Sequence, residues 1–154
     1  MQIAEINVAR RRYEVDDPRF AGFMDNLDRI NGLAERSRGF VWRLKSDADV
    51  GEALEALPDD PTLIVNLSVW ETVEDLERFT FGTIHNQIYK RREEWFPALE
   101  KRHFAMWRVP VGHRPDVAEA MAKLDQINRD GPSEAVFGWE ALPNLRMWME
   151  KRCG

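Results

Sequence analysis

The residues best suited to chemistry lie on one predicted strand and on the helix that follows it. Asn66 and Ser68 are two positions apart on the strand, so both side chains point to the same face. Such neutral donors and acceptors suit a substrate carbonyl, an enolate or an oxygen atom derived from dioxygen. The same pattern also suits a polar patch filled by ordered water. His85 follows in the helix, where a side chain that titrates near neutrality could transfer a proton.

The histidines are few and are not spaced as metal ligands. His85 shares a helical face with Tyr89 and Arg92, and it could transfer a proton, bind haem iron as an axial ligand or form a structural hydrogen bond. His103 opens a predicted strand and His113 precedes a predicted helix, where polar side chains often act as caps. No pair has an H-x-x-x-H spacing, so we expect no dedicated non-haem metal site.

Further polar and aromatic residues could complete a substrate site. Asn31 falls beside an apolar helical stripe, as a buried hydrogen-bonding residue or as the edge of that stripe. Arg43 could bind a carboxylate ligand or pair with Glu5 or Glu71. The tryptophans could stack on a flat substrate or belong to the core. The predicted substrate-binding residues are Asn7, Asn31, Trp42, Arg43, Asn66, Ser68, Trp70, Tyr89 and Trp107.

Apolar periodicity predicts the elements that position these side chains. Four strands are expected, at residues 3–9, 40–44, 63–70 and 103–109, with a short fifth strand at 135–139. Three helices are expected, after Asp17-Pro18, after Thr72 and after Pro115, the first closed by Gly39 and the third by Gly131-Pro132. Residues 46–61 read as a loop with a short helical turn.

The order β-α-β-β-α-β followed by α-β is that of a ferredoxin-like split βαβ unit with a C-terminal addition. We expect an α+β fold with an antiparallel sheet in a single domain over 1–154, with a core at about 1–112 and a C-terminal α-β extension at about 113–154. The first and third strands would be central, with their apolar sides facing the helices. The opposite face would present Asn7, Asn66 and Ser68, and a face of this kind needs a cover.

Composition narrows the function classes. Lys and Arg total 22 against 27 Asp and Glu, a net charge of -5, which disfavours nucleic acid as a partner. Cys153 is the only cysteine, so the chain has no internal disulfide, and a cytoplasmic location is expected. No apolar stretch has the length of a signal or membrane segment. The chain also lacks a Gly-rich phosphate loop, a dinucleotide fingerprint and a G-x-S-x-G elbow.

Six segments together resemble the domain-of-unknown-function 3291 family: LDRIN at 27–31, GFVWRL at 39–44, NLSVWE at 66–71, REEWF at 92–96, PVGHRP at 110–115 and GP at 131–132. The resemblance implies a dimeric α/β barrel, a group that includes antibiotic-biosynthesis-type monooxygenases, muconolactone-isomerase-like enzymes and haem-binding aldoxime dehydratases. It implies a homodimer in which the partner's sheet covers the second sheet face and encloses the ligand.

Residues 68–71 with His85 are also similar to spheroidene monooxygenase, over one strand and one helix. This similarity favours oxidative chemistry. We therefore expect a monooxygenase-like oxidoreductase that acts on a conjugated or aromatic small molecule without a cofactor, with His85 transferring a proton. Two alternatives stay open: a redox-neutral isomerase, cyclase or dehydratase using the same pocket, and a non-catalytic protein that binds haem or another small ligand.

Overall fold

The computed structural model describes residues 1–14, 16–44, 55–57, 60–82, 87, 90–99 and 101–141. The strands are β1 (Gln2–Arg10), β2 (Phe40–Arg43), β3 (Glu55–Leu57), β4 (Asp60–Trp70) and β5 (Phe104–Val109). The helices are α1 (Ala21–Arg36), α2 (Val73–Gly82) and α3 (Val117–Asp130). Short 3-10 turns occur at Pro18–Phe20, Arg92–Glu94 and Trp139–Ala141.

The strands form one antiparallel sheet in the order β2-β4-β1-β5, with β3 also paired to β4. Strands β1 and β4 are central, as predicted, and the α+β ferredoxin-like fold is confirmed. The predicted loop at 46–61 was partly wrong, because β3 and the first residues of β4 lie within it. The predicted fifth strand is a single bridge between Met106 and Phe137.

Local sequence signals place the helix ends. The Asp17 carboxylate accepts a hydrogen bond from the Arg19 backbone N–H at 2.8 Å, ahead of the turn that leads into α1. Thr72 Oγ1 accepts from the Asp75 N–H at 3.1 Å and caps α2. After α1, Gly39 has φ +84°, and a Cβ there would collide with the Asp75 carboxylate. A glycine is therefore needed where α1 turns into β2.

The two faces of the sheet differ in polarity and in the helices that cover them. One face packs against α3 and is apolar at its centre; we call it the α3 face. The other packs against α1 and α2, and we call it the α1/α2 face. The α3 face carries Ala4, Ile6, Val8, Val65, Leu67, Val69, Ala105, Trp107 and Val109, all of them buried. The α1/α2 face carries Ile3, Glu5, Asn7, Ile64, Asn66, Ser68, Trp70, Phe104 and Met106.

This arrangement reverses the expected orientation of the sheet. Asn7, Asn66 and Ser68 lie on the face beneath α1 and α2, whereas the prediction placed them on the face away from the helices. The face with the apolar centre packs against α3 of the C-terminal extension. Alternation along the strands separated the two sets of side chains correctly, but strand periodicity carries no information about which helix packs on which set.

Helix α3 also bears on the predicted second subunit, which was expected because one face of the sheet needed a cover. Ala120, Leu124 and Ile127 on its inner side are buried in one cluster with the α3 face. The sheet face away from α1 and α2, which a partner's sheet was expected to cover, is therefore already covered at its centre within one chain. The homodimer stays a prediction, and burial of this face no longer supports it.

Helix α3 should make a large contribution to stability, and Leu124 tests this. Leu124→Ala should lower the free energy of unfolding by about 2–5 kcal/mol, because it leaves a cavity between α3 and the sheet. The matched control Asp125→Ala, exposed on the same helix, should change it by about 0.5 kcal/mol or less. Urea denaturation of both variants measures the difference. Equal stability of the two variants would contradict the packing of α3 on the sheet.

Candidate functional site

Four polar residues form two cross-strand pairs at the centre of the α1/α2 face. Glu5 lies opposite Ser68, and Asn7 lies opposite Asn66, in the antiparallel register of β1 with β4. Side chains directly opposite each other lie about 4.5–5.5 Å apart, so the four form one continuous patch. We call these four residues the polar strip. The register confirms that Asn7 faces the same space as Asn66 and Ser68.

Two apolar clusters flank the polar strip along the strands. At one end, Trp70 packs with Phe79, and the two rings are stacked 5.3 Å apart. At the other end, Ile64 packs in a cluster with Phe20 and Trp95. Trp70 and Ile64 are six positions apart on β4, so about 20 Å separates the two clusters. The polar strip thus lies between two apolar clusters, each of which contains aromatic residues.

Accessibility changes along the strip. Asn66 is exposed and Asn7 is half-buried, whereas Glu5 and Ser68 are 5% and 7% exposed. Side chains in the middle of a sheet stay open to solvent where nothing packs over them, so within the described residues neither α1 nor α2 covers the asparagine pair. The strip therefore runs from solvent at the asparagines to the buried pair of Glu5 and Ser68.

A chain of hydrogen bonds holds the buried end. The Trp70 indole N–H donates to Ser68 Oγ at 2.9 Å, and the Ser68 hydroxyl donates to Glu5 Oε1 at 2.6 Å. Indole nitrogen can only donate, so Trp70 occupies a lone pair of Ser68 and leaves the serine proton for Glu5. Within the described residues, no cation bonds to Glu5.

The environment of Glu5 favours its neutral form. Burial raises the pKa of this carboxyl group from the ordinary 4.5 to about 8, and the hydrogen bond from Ser68 opposes the shift. At neutral pH Glu5 is therefore mostly a carboxylic acid. A buried acid that keeps its proton at neutral pH is able to donate it, and residues with such perturbed pKa values concentrate at functional sites.

The structure divides the predicted substrate-binding residues between the two faces. Asn7, Asn66, Ser68 and Trp70 share the α1/α2 face, although Trp70 is 1% exposed and forms a wall behind Ser68. Trp42 and Trp107 pack in the cluster on the α3 face. The backbone of the sheet separates these two tryptophans from the polar strip, so they cannot contact a ligand bound there.

Two further predicted contacts are Arg43, which ends β2, and Asn31, which lies on α1. Arg43 Nε donates to Glu35 Oε1 at 2.9 Å, so the cation pairs with α1 and not with Glu5 or Glu71, the partners suggested by the sequence. Asn31 is buried, as one of its two predicted placements required. Its Nδ2 has no hydrogen-bond partner within the described part of the chain.

The predicted catalytic residue His85 and the predicted contact Tyr89 lie outside the described residues. Of the other histidines, His103 is exposed just before β5. His113 Nε2 lies 2.8 Å from Glu119 Oε1, and the other oxygen of Glu119 accepts from the Trp107 indole at 3.1 Å. This second network lies on the α3 side of the sheet, away from the polar strip.

From the sequence, Glu5 was expected only as an ion-pair partner for Arg43, and its burial at the centre of the polar strip was not predicted. One signal was available: an acid in the centre of an alternating strand, on the same side as Asn7, between the apolar residues Ala4 and Ile6. The depth of Glu5 and its pairing with Ser68 depend on the register with β4, which one strand's sequence does not reveal.

The described residues include no cluster of His, Cys, Asp and Glu side chains that could hold a metal ion. No helix among them has the length and apolar character needed to cross a membrane.

The protonation of Glu5 should make stability depend on pH. Between about pH 4.5 and 8 the folded chain keeps a proton that the unfolded chain releases, so the free energy of unfolding should fall as pH rises through this window. Glu5→Gln, which cannot ionise, should show a smaller fall. Urea denaturation at several pH values compares the two proteins. Parallel curves for wild type and Glu5→Gln would show that Glu5 titrates normally.

Several solved structures share this fold. A conserved protein from Methanosarcina mazei Go1 is 12% identical with a TM-score of 0.52, over 71% of this chain and 94% of its own. A candidate antibiotic biosynthesis monooxygenase from Nitrosomonas europaea is 16% identical with a TM-score of 0.51, over 72% and 92%. SnoaB, a cofactor-independent oxygenase from Streptomyces nogalater, is 14% identical with a TM-score of 0.50, over 73% and 98%. These likenesses establish the fold.

At the level of sequence, no curated protein matches the chain. The model of one family, described as a domain of unknown function (DUF3291), matches residues 2–152, which is nearly the whole length. The resemblance carried by the six segments is thereby confirmed, and the chain belongs to the DUF3291 family.

Proposed function

We propose that this protein is a cytoplasmic small-molecule enzyme of the monooxygenase-like type, which binds a conjugated or aromatic substrate over the polar strip. The observation that carries the proposal is an opening over the asparagine pair: among the described residues, Asn66 is exposed and Asn7 half-buried, although Ser68 and Ile64 on either side of Asn66 are buried. Its floor offers neutral hydrogen-bonding groups, and aromatic residues stand at both ends. Ligand sites combine apolar walls with a few convergent polar groups in this way.

The chemistry begins with removal of a proton from an activated C–H bond of the substrate. The resulting carbanion transfers electrons to dioxygen and forms a new C–O bond. One oxygen atom stays on carbon as a carbonyl, and the other leaves as water with the two hydrogens that the carbon loses. The amides of Asn7 and Asn66 hydrogen-bond to the substrate and hold the flat ring system over the strip.

We assign the proton-accepting role to His85, as its side-chain chemistry and its place after β4 suggest. The reaction as written needs no cofactor. One relative of the same fold, SnoaB, is a cofactor-independent oxygenase, which supports this choice without extending that protein's activity to this chain.

Anthrone, a tricyclic aromatic ketone with an acidic CH₂ group, tests the proposal. Wild type should accelerate oxygen uptake and anthraquinone formation above the rate in buffer. Asn66→Leu, which removes the amide at nearly constant volume, should lower kcat/KM about tenfold or more. The control Asp125→Leu, exposed on α3 beyond the sheet, should leave it unchanged. His85→Ala should lower kcat more than it raises KM.

Two results would redirect the proposal. If the protein catalyses deuterium exchange at the anthrone CH₂ in D₂O without oxygen uptake, the redox-neutral alternative is correct, because proton transfer then occurs without oxidation. If added haem gives a Soret band that is absent in His85→Ala, His85 is an iron ligand and the protein binds haem. If the protein accelerates neither deuterium exchange nor oxygen uptake above the rate in buffer, catalysis on this substrate class is refuted.

A further inference from the structure

A carboxylic acid in the middle of a sheet is the feature of this fold that packing alone does not explain. Glu5 is 5% exposed on the central strand β1, and the residues before and after it, Ala4 and Ile6, are fully buried on the other face. Burying an acid without a cation forfeits its hydration, and an apolar residue at this position would fit the flanking clusters at lower cost. Such a local conflict with good packing points to a function.

We propose that Glu5 is the proton donor of the site: it hydrogen-bonds to an uncharged oxygen of the substrate and transfers its proton to that oxygen. The site would therefore take ketones, enones or quinones and reject carboxylates. This inference rests on the proposed function, since it uses the same polar strip, and it adds the identity of the acid and the chemical class of the ligand.

The hydrogen bonds around Glu5 decide which oxygen carries the proton. Oε1 accepts from the Ser68 hydroxyl at 2.6 Å, and Ser68 in turn accepts from Trp70. Oε1 is therefore the carbonyl oxygen of the acid, and Oε2 bears the hydrogen. Within the described residues Oε2 has no hydrogen-bond partner, so its O–H is available to a ligand.

The position of Glu5 brings this O–H within reach of a bound ring. Glu5 and Asn7 are two residues apart on the same face of β1, which separates them by about 7 Å. This distance is comparable to the length of a fused bicyclic ring. A substrate whose ring lies over the asparagine pair can therefore extend its oxygen toward Glu5.

The transfer balances in protons and charge. The Oε2–H bond of Glu5 breaks as the substrate oxygen gains the proton and the carbanion formed at carbon becomes an enol. Glu5 is left as a carboxylate that keeps the hydrogen bond from Ser68, and the enol O–H then returns the proton to Glu5, which restores the carbanion that reacts with dioxygen. No electrons are exchanged in this step. A substrate carboxylate would instead lose its hydration at a position where burial already disfavours the charged form of Glu5 and where no cation bonds to Glu5 within the described residues, which accounts for the expected selectivity.

Carbon-13 NMR of protein labelled at the glutamate side-chain carboxyls tests the proposal without turnover. The Glu5 signal is identified as the one that disappears from the spectrum of Glu5→Gln. If that variant fails to fold, the same signal is identified by its change of chemical shift in Ser68→Ala. In wild type it should titrate with a midpoint near pH 8. In Ser68→Ala the midpoint should rise further, because a hydrogen bond that favours the ionised form is lost.

The probes are 1-tetralone, which is a bicyclic aromatic ketone, tetralin, which has the same carbon skeleton without the oxygen, and 1-naphthoate, which is a bicyclic aromatic carboxylate. Saturating 1-tetralone should move the midpoint of Glu5 to higher pH, because the ketone binds the protonated acid. Tetralin and 1-naphthoate should leave the midpoint unchanged. A midpoint near 4.5, or the same midpoint with and without 1-tetralone, would overturn the role of Glu5.

The outcomes separate this inference from the proposed function. If 1-tetralone shifts the Glu5 titration but anthrone is not oxidised, the acid and its ligand class stand and the oxygenase proposal fails. If anthrone is oxidised while Glu5 titrates near 4.5 or does not respond to the ketone, the enzyme stands and Glu5 is not its acid.

Discussion

Side-chain alternation along β1 is the constraint on which the rest of the structure depends. Because β1 is paired on both sides, by β4 and by β5, its register determines the composition of both faces of the sheet. One set of its side chains, Ala4, Ile6 and Val8, is small or branched and packs closely under α3. The other set contains Glu5 and Asn7 and lies under α1 and α2. A shift of one residue in register would exchange the two sets.

The two faces of the sheet consequently differ in composition and in how they contribute to stability. The α3 face is a continuous apolar core, in which every central side chain is buried within a single chain. The α1/α2 face has two apolar clusters separated by the polar strip. Stability on that face comes from the clusters at the ends, so the centre can carry groups that pack less favourably. The acid Glu5 and the open asparagine pair occupy this centre.

Much of the fold was predictable from local signals. Period-two alternation found β1 and β4, and capping residues such as Asp17 and Thr72 marked the helix starts. The site was predictable in part, because Asn7, Asn66 and Ser68 were correctly grouped on one face. The partner of Arg43 was not predictable, since Glu35 reaches it through the packing of α1 on β2 and several carboxylates were equally near in sequence.

The sequence by itself determined most of the elements, the two sets of side chains on the central strands and the family of the chain, because each depends on short-range periodicity or on local motifs. Only the tertiary structure decided which helices cover which set, and with it the depth of every polar residue. Helix α3 could have lain on either face as far as its own amphipathic pattern shows. Its packing on the α3 face buries the centre of that face within one chain, whereas among the described residues neither α1 nor α2 covers Asn66, and burial of Glu5 favours its protonated form.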